Sequence, residues 1–455
     1  MTTHTLNTLC SQHQAVFLRE DEHSLYIAVA RPPAEHLLGA LRFTSNKQVH
    51  VSYWSAEQLE KASLAHPEGP TPGQEDDPLE TILAGAIARR ASDIHIEPGD
   101  GHLTIRLRVD GVLQQLQELP AGQAAPLLAR LKISAGLDIA ERRLPQDGQF
   151  STSVAGTTLA LRLSTLPCRY GEKAVLRLQA PQAAQYSAEI PGMTNTQQAL
   201  WQRALSSPQG LILVTGPTGS GKTRTLYAGL HALNRSGVNI CSVEDPVEIP
   251  IPGINQTQIN TKAGLDFPLI LRALLRQDPD IIMIGEIRDA VTADIAIKAA
   301  QTGHLVLSTL HTNSTTETVI RLQQMGIPGW MLASTLRLIV AQRLVRRLCP
   351  HCRQPASEPA VLTSPAGKDP GEIAEHWLPR GCERCYSGYY GREALFEMLP
   401  PDPAMRQAII RGADSDALAR QARDGGHPTL ARSAHAAIRQ GVTSVSEVWR
   451  VMGDL

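Results

Sequence analysis

The stretch from Leu211 to Thr223 constrains this chain more than any other. An apolar, strand-like run, Leu211–Thr215 (LILVT), enters Gly216-Pro217-Thr218-Gly219-Ser220-Gly221-Lys222-Thr223, and Leu226, Leu230 and Leu233 follow at helical spacing. A strand, a glycine-rich turn and a helix in that order form a phosphate-binding loop. Glycines let backbone N–H groups converge on phosphate oxygens, and the start of the helix adds partial positive charge. The pattern assigns the β- and γ-phosphates of a nucleotide to Lys222 and a Mg2+ ion to the Thr223 hydroxyl. A glycine loop arising by chance would carry neither flanking element.

Strands and helices alternate from Met193 onward, which predicts an α/β domain on a mainly parallel sheet. In open sheets of this kind, ligands sit beyond the carboxyl ends of the strands. Three further strands end in groups suited to such a ligand. Asn239–Val243 (NICSV) leads to Glu244, Ile281–Ile284 (IIMI) to Gly285 and Glu286, and Leu305–Leu310 (LVLSTL) to His311. Glu286 stands where a carboxylate would orient or deprotonate an attacking water. His311 is the candidate sensor of the γ-phosphate. Gly285 occupies the place where many such sites put a metal-binding Asp, which leaves Mg2+ to Thr223, water and Glu244. His304 would lie on the order of 23 Å from His311 over seven extended residues, so it is expected to be structural. Taken singly, each acidic group could be an ordinary strand-end charge. Their convergence on one sheet edge argues for chemistry.

Two smaller units are expected upstream. Residues 1–66 read as a small α/β unit, with strands at Ser24–Ala30 and Val49–Ser52 and a helix at Ala34–Leu41. The Pro- and Gly-containing stretch 67–78 reads as a linker. In residues 79–180, Leu103–Val109 alternates apolar and polar, Asp110-Gly111 supplies a hairpin turn, and Val112-Leu113 starts the return strand. The alternation sends Arg106 and Arg108 to the solvent face, and Leu159–Ser164 does the same for Arg162. On their own, these arginines are solubilising surface charges. A second linker, 181–192, precedes the α/β domain at 193–347. A cysteine-bearing segment at 348–386 and a helical region at 387–455 complete the chain, with Pro403–Arg411 and Leu430–Gln440 reading as amphipathic helices.

Composition sets outer limits. Among 455 residues, 43 Lys and Arg face 44 Asp and Glu, so the basic excess needed to coat nucleic acid is missing. Aromatic residues at 4% argue against a base-stacking platform. No apolar run is long enough to span a bilayer, and MTTHTLNTLC at the N-terminus lacks the segments of a signal peptide. A cytoplasmic protein is expected.

Of the seven cysteines, four form Cys349-Pro-His-Cys352 and Cys382-Glu-Arg-Cys385, with 29 residues between the pairs. Four thiolates give closed tetrahedral coordination, which suits structural zinc. Disulfide pairing or redox work is the alternative, disfavoured in a reducing cytoplasm. Cys10, Cys168 and Cys241 are scattered and do not suggest a disulfide framework.

Taken together, GPTGSGKT, SVEDPVE, LRQDPDIIMIGEIRD and TGHLVLSTLHTN resemble the four nucleotide-site signatures of the type II secretion and type IV pilus assembly ATPases. The resemblance extends to ASDIHIEP (Ala91–Pro98), RLRVDGVL (Arg106–Leu113), LDIAERRLPQDGQ (Leu137–Gln149) and the cysteine pairs. It implies a cytoplasmic, homohexameric, ATP-hydrolysing motor. Its architecture would be a RecA-like P-loop domain preceded by an α+β, PAS-like domain and a small N-terminal α/β domain, with a tetracysteine zinc subdomain. The resemblance further implies that Arg108 and Arg162 clamp the bound nucleotide and that residues 1–66 dock on a membrane-bound partner. ATP-driven rotations would push on an inner-membrane platform protein and add subunits to a pilus or pseudopilus. Membrane association would be peripheral, through partners, with no direct contact to nucleic acid. Three positions depart from the family pattern. Gln149 stands where relatives often carry Arg, Val291 where an acidic residue is common, and Arg224 where a small hydroxyl residue is usual.

Two other readings fit the same residues. One is a nucleotide-gated scaffold ring with little turnover, suggested by Gln149 and Arg224. The other is a DNA-translocating RecA-like ATPase, which the missing basic excess disfavours.

Overall fold

In the computed structural model the chain forms two compact units, residues 1–180 and 181–455. The structure describes residues 15–21, 23–30, 47–55, 77–154, 156–179, 189–362 and 372–453, together with Cys10, Pro33, Leu37, Leu38, Leu41 and Ser45.

The first unit opens with a three-stranded sheet. Its central strand β2 (Ser24–Val29) pairs antiparallel with β1 (Ala15–Glu20) and parallel with β3 (Gln48–Tyr53). Phe17, Leu25, Ile27 and Val29 bury against Leu37 and Leu41. The rest of the helix expected at Ala34–Leu41 falls largely outside the described residues, as do most of the 67–78 linker and residues 181–188. Helix α1 (Pro78–Ala88) follows. Asp77 caps it by accepting from the Leu79 N–H at 3.1 Å, and Pro78 sits in its first turn. Pro is tolerated there because that N–H would be unpaired anyway. The last residue counted into the linker is thus already helical.

Six strands then form an antiparallel sheet in the order β6-β5-β4-β9-β8-β7. They are β4 (Ala91–Pro98), β5 (His102–Val109), β6 (Val112–Pro120), β7 (Gln146–Val154), β8 (Thr157–Cys168) and β9 (Gly171–Gln179), with helix α2 (Ala124–Ser134) between β6 and β7. Asp110 and Gly111 take φ of +50° and +86°, the two left-handed residues that a tight two-residue hairpin requires. Ile94, Ile96, Leu103, Ile105, Leu107, Leu161 and Leu163 face α1 and α2 and make the core. The opposite face carries the arginines.

In the second unit, α3 (Asn195–Leu205) precedes a seven-stranded sheet of order β12-β11-β13-β14-β10-β15-β20. Its strands are β10 (Gly210–Thr215), β11 (Ile240–Glu244), β12 (Asn255–Gln258), β13 (Ile281–Ile284), β14 (Leu305–Leu310), β15 (Leu336–Leu348) and β20 (Tyr389–Leu399). Helices α4 (Lys222–Leu233), α5 (Phe267–Leu274), α6 (Ala290–Gln301), α7 (Thr315–Gln324) and α8 (Gly329–Thr335) connect them. The short strands β16 (Gln354–Pro355), β17 (Ala360–Leu362), β18 (Glu372–Ala374) and β19 (Trp377–Leu378) lie between β15 and β20, and α9 (Pro403–Ile410), α10 (Ser415–Asp424), α11 (Leu430–Arg439) and α12 (Val445–Met452) end the chain. β10, β11, β13 and β14 are buried throughout and mainly apolar, as strands covered on both faces must be, with the polar exceptions gathered toward their carboxyl ends.

One expectation needs correction. The region 387–455 is not helical throughout, because Tyr389–Leu399 is a strand that pairs antiparallel with β15 and completes the sheet. Its Ala, Leu, Glu and Met residues favour helix locally, and pairing along β15 overrides that preference. No helix among the described residues is long and apolar enough to cross a membrane.

Candidate active site

The phosphate loop leaves β10 at Thr215 and enters α4 at Lys222. Gly216 takes φ of +147°, and a Cβ there would fall 2.5 Å from the Gln342 carbonyl oxygen and 2.6 Å from Ser220 Oγ. Only glycine lets the loop turn this close to β15. Ser220 Oγ is buried and finds no hydrogen-bond partner among the described residues, which fits a site built to receive phosphate oxygens. Lys222 Nζ donates to the carbonyl oxygens of Gly216 at 2.8 Å and Pro217 at 3.0 Å, which keeps its ammonium at the loop. Burial pushes the Lys222 pKa down, Glu286 opposes that and Arg343 adds to it. Thr223 is half-buried beside it, and Pro217, Thr218 and Gly219 are exposed at the tip.

Glu244 ends β11 and is 3% exposed. Its Oε1 accepts from Ser242 Oγ at 2.6 Å and Gln256 Nε2 at 3.1 Å, and its Oε2 accepts from the Tyr227 hydroxyl. Burial, then Glu244 itself, pushes the Tyr227 pKa up, so the pair joins α4 to β11 through a neutral phenol and a carboxylate. Glu286 stands two residues beyond β13. One of its oxygens is ion-paired with Arg288, and the other lies 3.4 Å from His311 Nε2. The structure thus brings Glu286 and His311 together. A Cβ on Gly285 would lie 3.3 Å from the Val243 oxygen and 3.4 Å from Glu244 Cα. That crowding between neighbouring strands leaves little room for an Asp. His304 sits at the far end of β14, its Nδ1 3.0 Å from the Ala299 carbonyl oxygen.

Several residues at this edge escaped the sequence reading. Gln342 of β15 accepts from Thr225 Oγ1 at 2.7 Å, while its carbonyl faces Gly216. Arg343 is 6% exposed and donates to the Asn313 carbonyl at 3.0 Å, to Asn313 Oδ1 at 3.2 Å and to the Gln342 carbonyl at 3.1 Å. Burial lowers its pKa, but a guanidinium keeps its charge, so Lys222 and Arg343 both place positive charge at this end of the sheet. The available signal was a Gln-Arg pair inside the apolar run Leu336–Val345 (LRLIVAQRLV), where an internal strand should keep its side chains apolar.

Arg108 and Arg162 lie on the polar face of the six-stranded sheet in the first unit. Arg108 donates to the Gly111 carbonyl at 3.1 Å and stands 3.7 Å from Asp93. Arg162 is exposed, 3.9 Å from Asp147, and its cross-strand neighbour on β7 is Gln149.

The sulfur atoms of Cys349, Cys352, Cys382 and Cys385 all lie within 4.8 Å of one another. Cys349 and Cys382 are 3.9 Å apart, and Cys352–Cys385 and Cys382–Cys385 are each 3.6 Å apart. Thiolates about 2.3 Å from one tetrahedral zinc would stand about 3.8 Å from each other. The donor set therefore fits zinc in number and in spacing, and all seven cysteines are free thiols.

Residues 75–450 match the family described as type II/IV secretion system protein, and residues 7–67 match the MshEN domain. The chain is 51% identical over 454 residues to the protein transport protein HofB homolog of Escherichia coli (strain K12), covering 98% of both proteins. It is 46% identical over 376 residues to the type IV pilus assembly ATPase PilB of Pseudomonas aeruginosa, covering 82% of this chain and 66% of that one. The crystal structure of the pilus retraction motor PilT with bound ADP aligns with a TM-score of 0.54 at 25% identity, over 82% of this chain and 97% of that one. From the capped first helix of the antiparallel sheet to the last helix of the chain, sequence and fold agree: this chain belongs to the type II/IV secretion system proteins, the family of the secretion and pilus-assembly ATPases.

Proposed function

We propose that this chain is an ATP-driven motor that assembles a type IV pilus or a type II secretion pseudopilus from the cytoplasmic face of the inner membrane. The observation that carries this reading is the placement of Glu286 and His311, 3.4 Å apart, at the sheet edge that also bears the phosphate loop. ATP with its phosphates on Gly216–Thr223 would present its β- and γ-oxygens to Lys222, its γ-phosphate to His311 and an attacking water to Glu286. Glu286 would orient that water and take its proton. Thr223 would hold Mg2+ together with water, and the ion when bound would offset the negative charge of the phosphates. Glu244, expected beside Mg2+, would instead hold α4 against β11, because Ser242, Gln256 and Tyr227 occupy its oxygens.

Arg108 and Arg162 would bring positive charge to the nucleotide when the units close, a contribution of about 10³–10⁵ in rate for an arginine so placed. The division of labour would be docking by 1–66, the α+β domain at 79–180, the ATPase core from 193 with β20 added to it, and zinc bound within 348–386. The working form would be a homohexamer pressing on an inner-membrane platform protein, peripheral to the membrane and without direct contact to nucleic acid.

The test is Mg2+-dependent ATP hydrolysis by the full chain beside its Lys222→Ala variant, with nucleotide binding recorded for both. Turnover by the native chain and loss of binding and turnover in the variant are expected. Binding without turnover, persisting when the platform protein's cytoplasmic domain is added, would sink the motor in favour of a scaffold ring. Stimulation by DNA would point to a translocase instead.

A further inference from the structure

Beyond His311 the chain runs across the carboxyl edge of the sheet, strand by strand. Thr312 Oγ1 meets Thr215 Oγ1 of β10 at 2.6 Å, and Asn313 accepts from Arg343 of β15. Thr315 donates to Glu397 Oε1 of β20 from both its N–H, at 2.9 Å, and its hydroxyl, at 2.6 Å. β14, β10, β15 and β20 are consecutive neighbours, so each residue is fastened to the next strand along. The other oxygen of Glu397 accepts from the Leu430 N–H at 3.0 Å. Thr315 opens α7 and Leu430 opens α11. One carboxylate therefore faces two helix N-termini, where a negative charge is favoured, and Arg343 balances it from β15.

We propose that Glu397 is the positioning residue for His311: it fastens the far end of the 311–315 loop and, through Leu430, makes the pose of His311 depend on α11. The inference rests on the reading of His311 as the group that meets the γ-phosphate. Gln at position 397 keeps the size and one acceptor but removes the charge that both helix starts face.

The experiment compares Glu397→Gln, His311→Ala and the double variant, each in the full chain, by steady-state ATP hydrolysis and amide hydrogen exchange. A loop displaced by a fraction of an ångström should cost Glu397→Gln about 10–100-fold in kcat and leave the KM for ATP nearly unchanged. The double variant should be no slower than His311→Ala alone, because both act through one group. Exchange at amides 312–315 should quicken about tenfold while the strand cores keep their native protection. Native kcat with native exchange, additive losses in the double variant, or equal acceleration across the whole unit would each overturn the proposal, the last marking a purely structural cap. Native kcat in His311→Ala would overturn the role of His311 instead, and faster exchange at 312–315 would then still uphold Glu397 as the fastening of that loop. If Glu397→Gln does not fold, Thr315→Val removes the hydroxyl arm and leaves α11 capped. It should lose kcat in the same direction, and native kcat there counts against the proposal.

Discussion

His311 Nε2 stands 3.4 Å from Glu286 Oε2, while the other oxygen of the same carboxylate is paired with Arg288. Glu286 is thus held from two sides, just beyond the end of β13. Glu286→Gln keeps the shape and removes the base. It should bind ATP as the native chain does and lose about 10²–10⁴ in kcat. Fluorescent-nucleotide binding beside phosphate release checks this, and native turnover would remove Glu286 from the chemistry.

Arg162 reaches Asp147 only at 3.9 Å, whereas Arg177 on the neighbouring strand donates to Asp93 at 2.9 Å. Exposed pairs contribute about 0–1 kcal/mol, so Arg162→Ala should melt close to the native temperature. As a nucleotide clamp it should nevertheless lose about 10³ or more in kcat, and Arg108→Ala likewise. Rates and melting curves on the same preparations separate a clamp from damage to the sheet.

The four sulfurs predict about one zinc per chain by metal analysis. Cys382→Ser should abolish that stoichiometry and loosen the segment around the cluster, since closing such a site can contribute about 10–16 kcal/mol of apparent folding free energy in small modules. Full zinc content in the variant would rule out Cys382 as a ligand.

Glu97 offers a test by pH. Burial raises its pKa, but bonds from Arg106 and Lys173 outweigh that and bring it from 4.5 to about 2. His95 also faces it, at 3.8 Å. A carboxyl held low in the fold adds stability in full above its unfolded pKa, and that stability is lost as pH falls through the folded one. Glu97→Gln should therefore be less stable at pH 7 by on the order of 1–2 kcal/mol, after discount for solvent screening. The deficit should shrink below pH 4.5 and vanish near pH 2. Denaturant melts across that range read it directly, and a deficit independent of pH would exclude the ion pairs as its cause.

The phosphate loop, the strand-end positions of Glu244, Glu286 and His311, and the Asp110–Gly111 turn were legible because each is a local pattern, carried by neighbours in sequence. Gln342, Arg343, Tyr227 and Glu397 were not. Thr225 and Gln342 are 117 positions apart and Thr315 and Glu397 are 82 apart, and no spacing rule links residues joined only by sheet order. β20 was missed for the same reason, since its composition suits a helix and only β15 makes it a strand. Arg288 sits two residues from Glu286, so their pairing is a local one.

β15 and β20 pair from Ile339 and Leu399 at one end to Leu348 and Tyr389 at the other, which makes residues 349–388 the connection of a β-hairpin. Hairpin connections ordinarily run about 2–5 residues. Here Cys349 leaves β15 directly, and the sulfurs of Cys382 and Cys385 meet it just before β20 begins. A metal held by them would act as a clasp at the neck of a long loop, and chain beyond a closed neck adds little to the cost of keeping the two strands together. The consequence is evolutionary. Between the cysteine pairs the chain could change in length without parting the two strands, provided that the β16–β19 pair and Ala374, which packs against Ala341, Val345 and Leu395, are kept. Among descendants of this sequence, insertions should accumulate there and spare the edge that carries Glu286 and His311.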